Sequence, residues 1–233
     1  MIAHWNIEQQ SSKWFEMKWC KIGGTLSDGL LSDTSTLFID IASQYNEEYE
    51  HIEAFSNYYT EHGNEYEPLA MEYLSKYTGL EFKTCGLWQS EENEMLVISP
   101  DGCTEDLTIA CEIKCLGRKA HFEAILKNEI PSKYIKQCIH YFTVNPKLEK
   151  LYFIAYRERA PKHVVKELTL DSLVDIGLTY DVEIEQIGKK GTPIKPKIEK
   201  RKLLVTVNYA RDMALKQANE LLEKIQSLNL NEF

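Results

Sequence analysis

The stretch that most constrains this chain is Ser99-Pro100-Asp101-Gly102, with Glu112-Ile113-Lys114 a short way downstream. Met95 to Ser99 is a short apolar run that breaks at Pro100 and Gly102, as a strand end does. Thr108 to Lys114 reads as a second short strand, and Glu105-Asp106 supply turn chemistry between the two. Side chains alternate along a strand, so Ala110, Glu112 and Lys114 share one face. The pattern predicts a hairpin that brings Asp101 beside Glu112 and Lys114 at one mouth of a sheet.

Two carboxylates in one site repel and raise each other's pKa unless a cation compensates. All-oxygen ligands suit Mg²⁺ or Mn²⁺, and the backbone carbonyl of Ile113 adds a further oxygen. Such a metal polarises a phosphodiester and lowers the pKa of a bound water. Lys114 is then placed to orient that water and offset developing negative charge. The same residues also suit an ordinary hairpin with a surface ion pair, and the spacing alone does not separate the two.

The chain has 233 residues and a hydrophobic content of 43%, which suits one packed globular domain over residues 1–233. No apolar run is long enough to span a bilayer, and the N-terminus lacks the regions of a secretory signal, so a cytoplasmic location without a membrane partner is expected. Six cysteines, none in a CxxC pair, argue against disulfides and against a zinc or iron–sulfur site. The net charge of −9 counts against a protein coated in positive potential. The cations cluster instead at Lys189-Lys190, Lys195, Lys197, Lys200, Arg201 and Lys202.

Along the chain, Glu8 to Cys20 reads as a helix with Trp14 and Lys18 on one face. Thr25-Leu26-Ser27-Asp28 resembles a capping box, and a helix N-terminus suits phosphate, so Lys18 and Thr25 are candidate phosphate contacts. A solvated lysine and a plain cap are the competing reading. Phe38 to Phe55 is expected to be helical. Tyr58 to Tyr77 has a firmer helical pattern, ending at Gly79, with Glu67 beside its apolar stripe. Glu67 is either salt-bridged or aimed at the metal pocket. Leu80 to Trp88 suggests a strand. Helices are expected over 120–127 and 132–143, the second carrying Tyr134, Gln137 and Tyr141 on one face. Gln137 suits a hydrogen bond to phosphate or water, while core packing competes for the tyrosines. Strands follow at 151–156 and 164–170. Asp181 to Ile187 and Lys202 to Val207 are expected to pair around a loop, Gly188 to Pro196, that is either a DNA-gripping arm or a solvated connection. Tyr209 to Leu228 closes the chain as an amphipathic helix.

These motifs, in this order, resemble the phage lambda exonuclease (YqaJ-type viral recombinase) family within the PD-(D/E)xK nuclease superfamily. The resemblance rests on Trp14 with Lys18, Gly24-Thr25, Gly63-x-x-x-Glu67-x-x-Ala70, Ser99-Pro100-Asp101-Gly102, Glu112-Ile113-Lys114-Cys115, Tyr134-x-x-Gln137 and Tyr152-Phe153-x-x-Tyr156. It covers residues 8 to 170. It implies an α/β PD-(D/E)xK nuclease fold, a central mixed β-sheet flanked by helices, here with an added C-terminal β-hairpin or arm and a closing helix. It also implies two Mg²⁺ ions, with Mn²⁺ able to substitute, and digestion of one strand of linear double-stranded DNA from its 5′ end to leave 3′ overhangs. Asp101, Glu112 and the Ile113 carbonyl would bind metal, with Glu67 nearby, and Lys114 would assist the water. Lys18, Thr25, Ser99 and Gln137 would hold phosphate, a 5′-phosphate above all, with Tyr134 on the DNA side. The resemblance extends to a homotrimeric ring, to a single-strand-annealing protein as partner, and to a bacterial or phage-infected cytoplasm.

Three departures stand out. Lys18 occupies a position where the family favours arginine, replacing a bidentate grip by a point charge. Leu116 follows Cys115 where proline is common. Residues 171–205 form an addition or arm. Two other functions fit the same chain: a restriction- or repair-type endonuclease, and a noncatalytic DNA- or protein-binding module on the same scaffold.

Overall fold

A computed structural model of the protein describes residues 1–45, 47–49, 58–187 and 193–228. It opens with strand β1 (Ile2–His4) and helix α1 (Ser12–Lys18), which is shorter than the sequence pattern suggests. The helix starts where the Ser11 hydroxyl accepts the Trp14 N–H. A 3₁₀ turn (Ser27–Leu31) leads to α2 (Thr34–Tyr45) and α3 (Tyr58–Thr78). The expectation for α2 is met only to Tyr45; most of its second half, 46 and 50–55, lies outside the described residues. α3 ends at Gly79, whose φ of +73° is the left-handed cap that glycine adopts without strain.

The capping box expected at 25–28 is absent. Leu26 is the residue before the 3₁₀ turn and has no side-chain cap. The Ser27 hydroxyl donates back to the Gly24 carbonyl (2.7 Å), and Asp28 pairs with Lys136 (3.1 Å), so neither is left to cap a helix.

Strands β2 (Leu87–Gln89) and β3 (Val97–Ile98) extend β1 into a three-stranded antiparallel sheet. The hairpin partner of β5 (Ile109–Cys115) is β4 (Gly102–Cys103), with Gly102 opposite Cys111, and not the Met95–Ser99 run expected to pair with it, which supplies β3 of the other sheet. Helix α4 (Arg118–Lys127), a 3₁₀ turn (Ser132–Tyr134) and α5 (Ile135–Val144) then cross over to β6 (Lys150–Tyr156). β6 runs parallel to β5, as a helical crossover permits. β7 (Val164–Leu168) completes the sheet in the order β4-β5-β6-β7. Trp88, Tyr141, Phe142 and Phe153 fill the core between this sheet and the helices.

The C-terminal part corrects one pairing. β8 (Leu173–Val174), β9 (Thr179–Ile187), β10 (Pro193–Lys202) and β11 (Val205–Thr206) precede α6 (Val207–Gln226). β9 pairs with β10, so the strand returns inside the stretch read as loop, while β11 pairs with β8. The register slips between Ile194 and Lys197, an irregularity that accommodates Pro196 and its missing N–H. α6 packs against α5 and buries Ala210, Ala214, Ala218, Leu221 and Ile225.

Candidate active site

The β4–β5 hairpin brings Asp101 and Glu112 together. With Gly102 opposite Cys111, Asp101 falls level with Glu112, and its carboxylate accepts the Ile113 N–H at 2.5 Å. Glu112 points inward from β5 and is 1% exposed. Its Oε1 is ion-paired with Lys114 and accepts the Gln137 amide (2.7 Å), while its Oε2 accepts the Tyr141 hydroxyl (2.6 Å). Lys114 also lies 5.4 Å from the centre of the Tyr134 ring. Asp101, Glu112, Lys114, Gln137 and Tyr134 therefore converge.

The electrostatics record an excess of negative charge. Burial, then Glu112 and Glu67, push the Asp101 carboxyl well above its usual range, against the pull of Lys114 and the Ile113 N–H. Burial and Glu112 likewise raise Glu67, which places this α3 residue within electrostatic reach of the pair. Burial alone would discharge Lys114, but Glu112 and Asp101 outweigh it and hold the ammonium above its ordinary pKa. Three mutually repelling carboxylates compensated by one lysine form a donor set that fits a divalent cation. Among the described residues no three His, Cys, Asp or Glu side chains close on a single ion position.

A second subsite lies beside the first. The Trp14 indole N–H donates to the Ser99 hydroxyl (2.7 Å) and to the Gly86 carbonyl (3.1 Å). The Lys18 ammonium sits 3.7 Å over the Trp14 ring, and burial lowers its pKa to about 8. Lys18 also runs alongside Gly23. Gly24 touches Gln137, so the amide that holds Glu112 also borders this pocket. Thr25 is exposed, and its hydroxyl makes no hydrogen bond among the described residues. The structure thus groups Lys18 and Ser99 through Trp14, holds Gln137 on Glu112 beside Gly24, and leaves Thr25 exposed.

Two supporting residues escaped the sequence reading, and a third, Tyr141, was named there only for its helical face and its packing. Gln9 donates to the Cys85 and Pro100 carbonyls (2.9 and 3.0 Å) and so fixes the loop that carries Asp101. His140 is fully buried, with Nε2 bonded to the Ile22 and Val97 carbonyls (3.1 and 3.0 Å). Tyr141 shares its helical face with Gln137, which was the available signal; nothing in the spacing pointed to Gln9 or His140.

The fold is a mixed α/β scaffold with a carboxylate–lysine cluster on its four-stranded sheet. The sequence matches the YqaJ-like viral recombinase domain over residues 13–147, and the chain belongs to that family. In fold it is similar to an alkaline exonuclease (LHK-Exo) from Laribacter hongkongensis, with a TM-score of 0.66 at 16% identity over 95% of each chain. The same enzyme in complex with dAMP superposes with a TM-score of 0.66 at 18% identity, over 95% of this chain and 98% of that one. No curated protein sequence matches the chain. No helix among the described residues is long and apolar enough to cross a membrane.

Proposed function

We propose that this protein is a metal-dependent 5′→3′ exonuclease that degrades one strand of linear duplex DNA and leaves 3′ overhangs for phage-type recombination. The observation that carries the reading is the convergence of Asp101, Glu112 and Lys114, together with a half-buried Lys18 and Ser99 joined through Trp14. Asp101, Glu112 and the Ile113 carbonyl would hold Mg²⁺ or Mn²⁺, with Glu67 serving a second ion. When bound, the metal would polarise the phosphodiester and acidify a water.

The chain's own groups do the rest. Tyr141 and Gln137 fix both oxygens of Glu112, and the Ile113 N–H fixes Asp101, so the carboxylates are set before substrate arrives. Lys114, held protonated by its neighbours, is a hydrogen-bond donor and fixed cation rather than a base. It orients the attacking water and stabilises charge that develops on the phosphate. Because the indole N–H occupies a lone pair of the Ser99 oxygen, the Ser99 proton is free to be donated to a phosphate oxygen. Lys18 supplies the charge beside it. A terminal 5′-phosphate in that pocket would set the scissile bond against Asp101 and Glu112.

The test is a time course on linear duplexes that differ only in their terminal phosphate, run with a closed-circular control, with and without Mg²⁺. Mg²⁺-dependent release of mononucleotides, faster from 5′-phosphorylated ends and absent on the circle, is expected. Cutting of the circle would indicate an endonuclease. DNA binding without hydrolysis would indicate a noncatalytic module. Lys114→Ala should abolish cleavage while sparing metal binding, and wild-type rates in that variant would remove its role.

A further inference from the structure

At the carboxyl end of the parallel pair β5–β6, one residue beyond Lys114, lies a patch that the proposed chemistry does not use. Cys115 pairs with Tyr156 in the register that pairs Lys114 with Ala155. The two strands then leave in the same direction, into the segments that begin α4 and connect β6 to β7. The Leu116 N–H donates to the Tyr156 carbonyl (2.9 Å), and the Arg157 guanidinium returns a bond to the Leu116 carbonyl (3.4 Å), which clamps the two segments together.

Over this end the C-terminal half of α3 lays aromatic rings. Tyr156 stacks on His163 (4.4 Å, 26°), and Tyr73 meets the same imidazole edge-on (4.6 Å, 83°). Tyr77 lies nearly parallel to Tyr73 (6.4 Å, 16°). The cluster is open to solvent: Tyr73 is 36% and Tyr77 63% exposed. Cations flank it. Arg118 and Lys119 begin α4, and Arg157, Arg159 and Lys162 lie in the β6–β7 turn. Glu158 is the one acid of that turn, and it is engaged by Tyr66 and Arg159. Arg118 and Lys162 have no ion pair among the described residues. Such an arrangement is notable in a chain of net charge −9.

Exposed rings interleaved with cations are what unpaired bases and their phosphates require, since every base offers a face for stacking. A duplex keeps its base faces stacked internally and cannot use them. Tyr73 and Tyr77 lie on α3 beyond Glu67, about two and three turns along the same helix, so a strand separated at the carboxylates would follow that helix to reach the patch. From this we infer that Tyr73 and Tyr77, with Arg118 and Lys162, form a binding platform for single-stranded DNA next to the active site. The inference rests on the proposed DNA-degrading reading for its ligand and names the unpaired strand as that ligand.

Binding of labelled oligothymidylate, followed by fluorescence anisotropy in EDTA so that nothing is hydrolysed, tests it. The full chain should bind. Tyr77→Ala and the Tyr73→Ala/Tyr77→Ala double variant should weaken binding about ten-fold or more, whereas Tyr77→Phe retains it. Arg118→Ala with Lys162→Ala should flatten the salt dependence. Unchanged oligonucleotide affinity in the double variant, no binding by the wild-type chain, or equal competition by polyglutamate each overturns the inference. Tyrosine-dependent binding in a chain that hydrolyses no DNA would uphold the platform and refute the exonuclease proposal.

Discussion

Tyr141 illustrates how much of this site depends on groups that touch no substrate. Its hydroxyl donates to Glu112 at 2.6 Å from within the core. Tyr141→Phe removes that donor without changing the packing volume much, so the buried carboxylate loses one of its restraints. Supporting hydrogen bonds of this kind are worth about 10–100-fold in metal affinity or activity. We expect a loss of that size in nuclease activity, with the Mg²⁺ dependence displaced to higher concentration; an unchanged Mg²⁺ titration would refute the role. Lys18 gives a prediction of different form. Burial brings its pKa to about 8, so the ammonium is present below that pH and lost above it. The preference for 5′-phosphorylated over hydroxyl ends should therefore decline as pH rises through about 8. Lys18→Arg, which stays charged, should show a flat profile over the same range. The ratio of kcat/KM for the two ends, measured against pH in both proteins, decides it. At this scale the sequence was informative for Asp101, Glu112 and Lys114, because alternation along a strand and a Pro-Asp-Gly break are local signals. Gln9 and His140 were invisible because their partners are backbone carbonyls of remote segments, which no residue type advertises.

Elements were legible where periodicity was long and local. α3 and α6 follow their apolar stripes closely, and β5 and β6 lie where β-branched and aromatic residues gather. The β9–β10 ribbon was misjudged because lysines and prolines hid a strand whose stability comes from its cross-strand partner rather than from buried side chains. The segment before β2 shows the opposite case, a conformation set by one close approach. A Cβ at Gly86 would stand 2.0 Å from the Ile7 carbonyl oxygen, which is backbone and cannot swing aside. The Gly86 carbonyl also accepts the Trp14 indole N–H. Gly86→Ala should therefore push the N-terminal segment off β2 and loosen Trp14, Ser99 and Lys18 together. A stability loss of about 1–3 kcal/mol is expected from overpacking of this type. Denaturant midpoints, with protection of Trp14 fluorescence as a second readout, measure it; a wild-type midpoint would mean the contact is slack.

Across the whole molecule, two groups of buried ionisable residues pull stability in opposite directions with pH. His140 is fully buried and its pKa is lowered to about 4 by desolvation, against the pull of the Val97 and Ile22 carbonyls. In the unfolded chain an imidazole titrates near ~6.5. Between these values the unfolded state binds the extra proton, so the stability contributed by neutral His140 is complete above ~6.5 and is lost as pH falls towards 4. The full loss is about 3 kcal/mol. Asp101 works the other way, because its carboxyl is raised by burial and by Glu112 and Glu67. Its stabilisation is complete below the unfolded carboxylate pKa and is lost as pH rises through its raised folded value. A single pH profile therefore mixes both slopes, and only a difference between proteins separates them. His140→Gln keeps a donor for the two carbonyls but cannot titrate. Urea unfolding in EDTA at pH 7 and pH 4.5 should show wild type losing more stability than His140→Gln on acidification, by about 2–3 kcal/mol. Parallel losses in the two proteins would place the acid sensitivity elsewhere and remove His140 as the clamp between the loop at Ile22 and the strand at Val97.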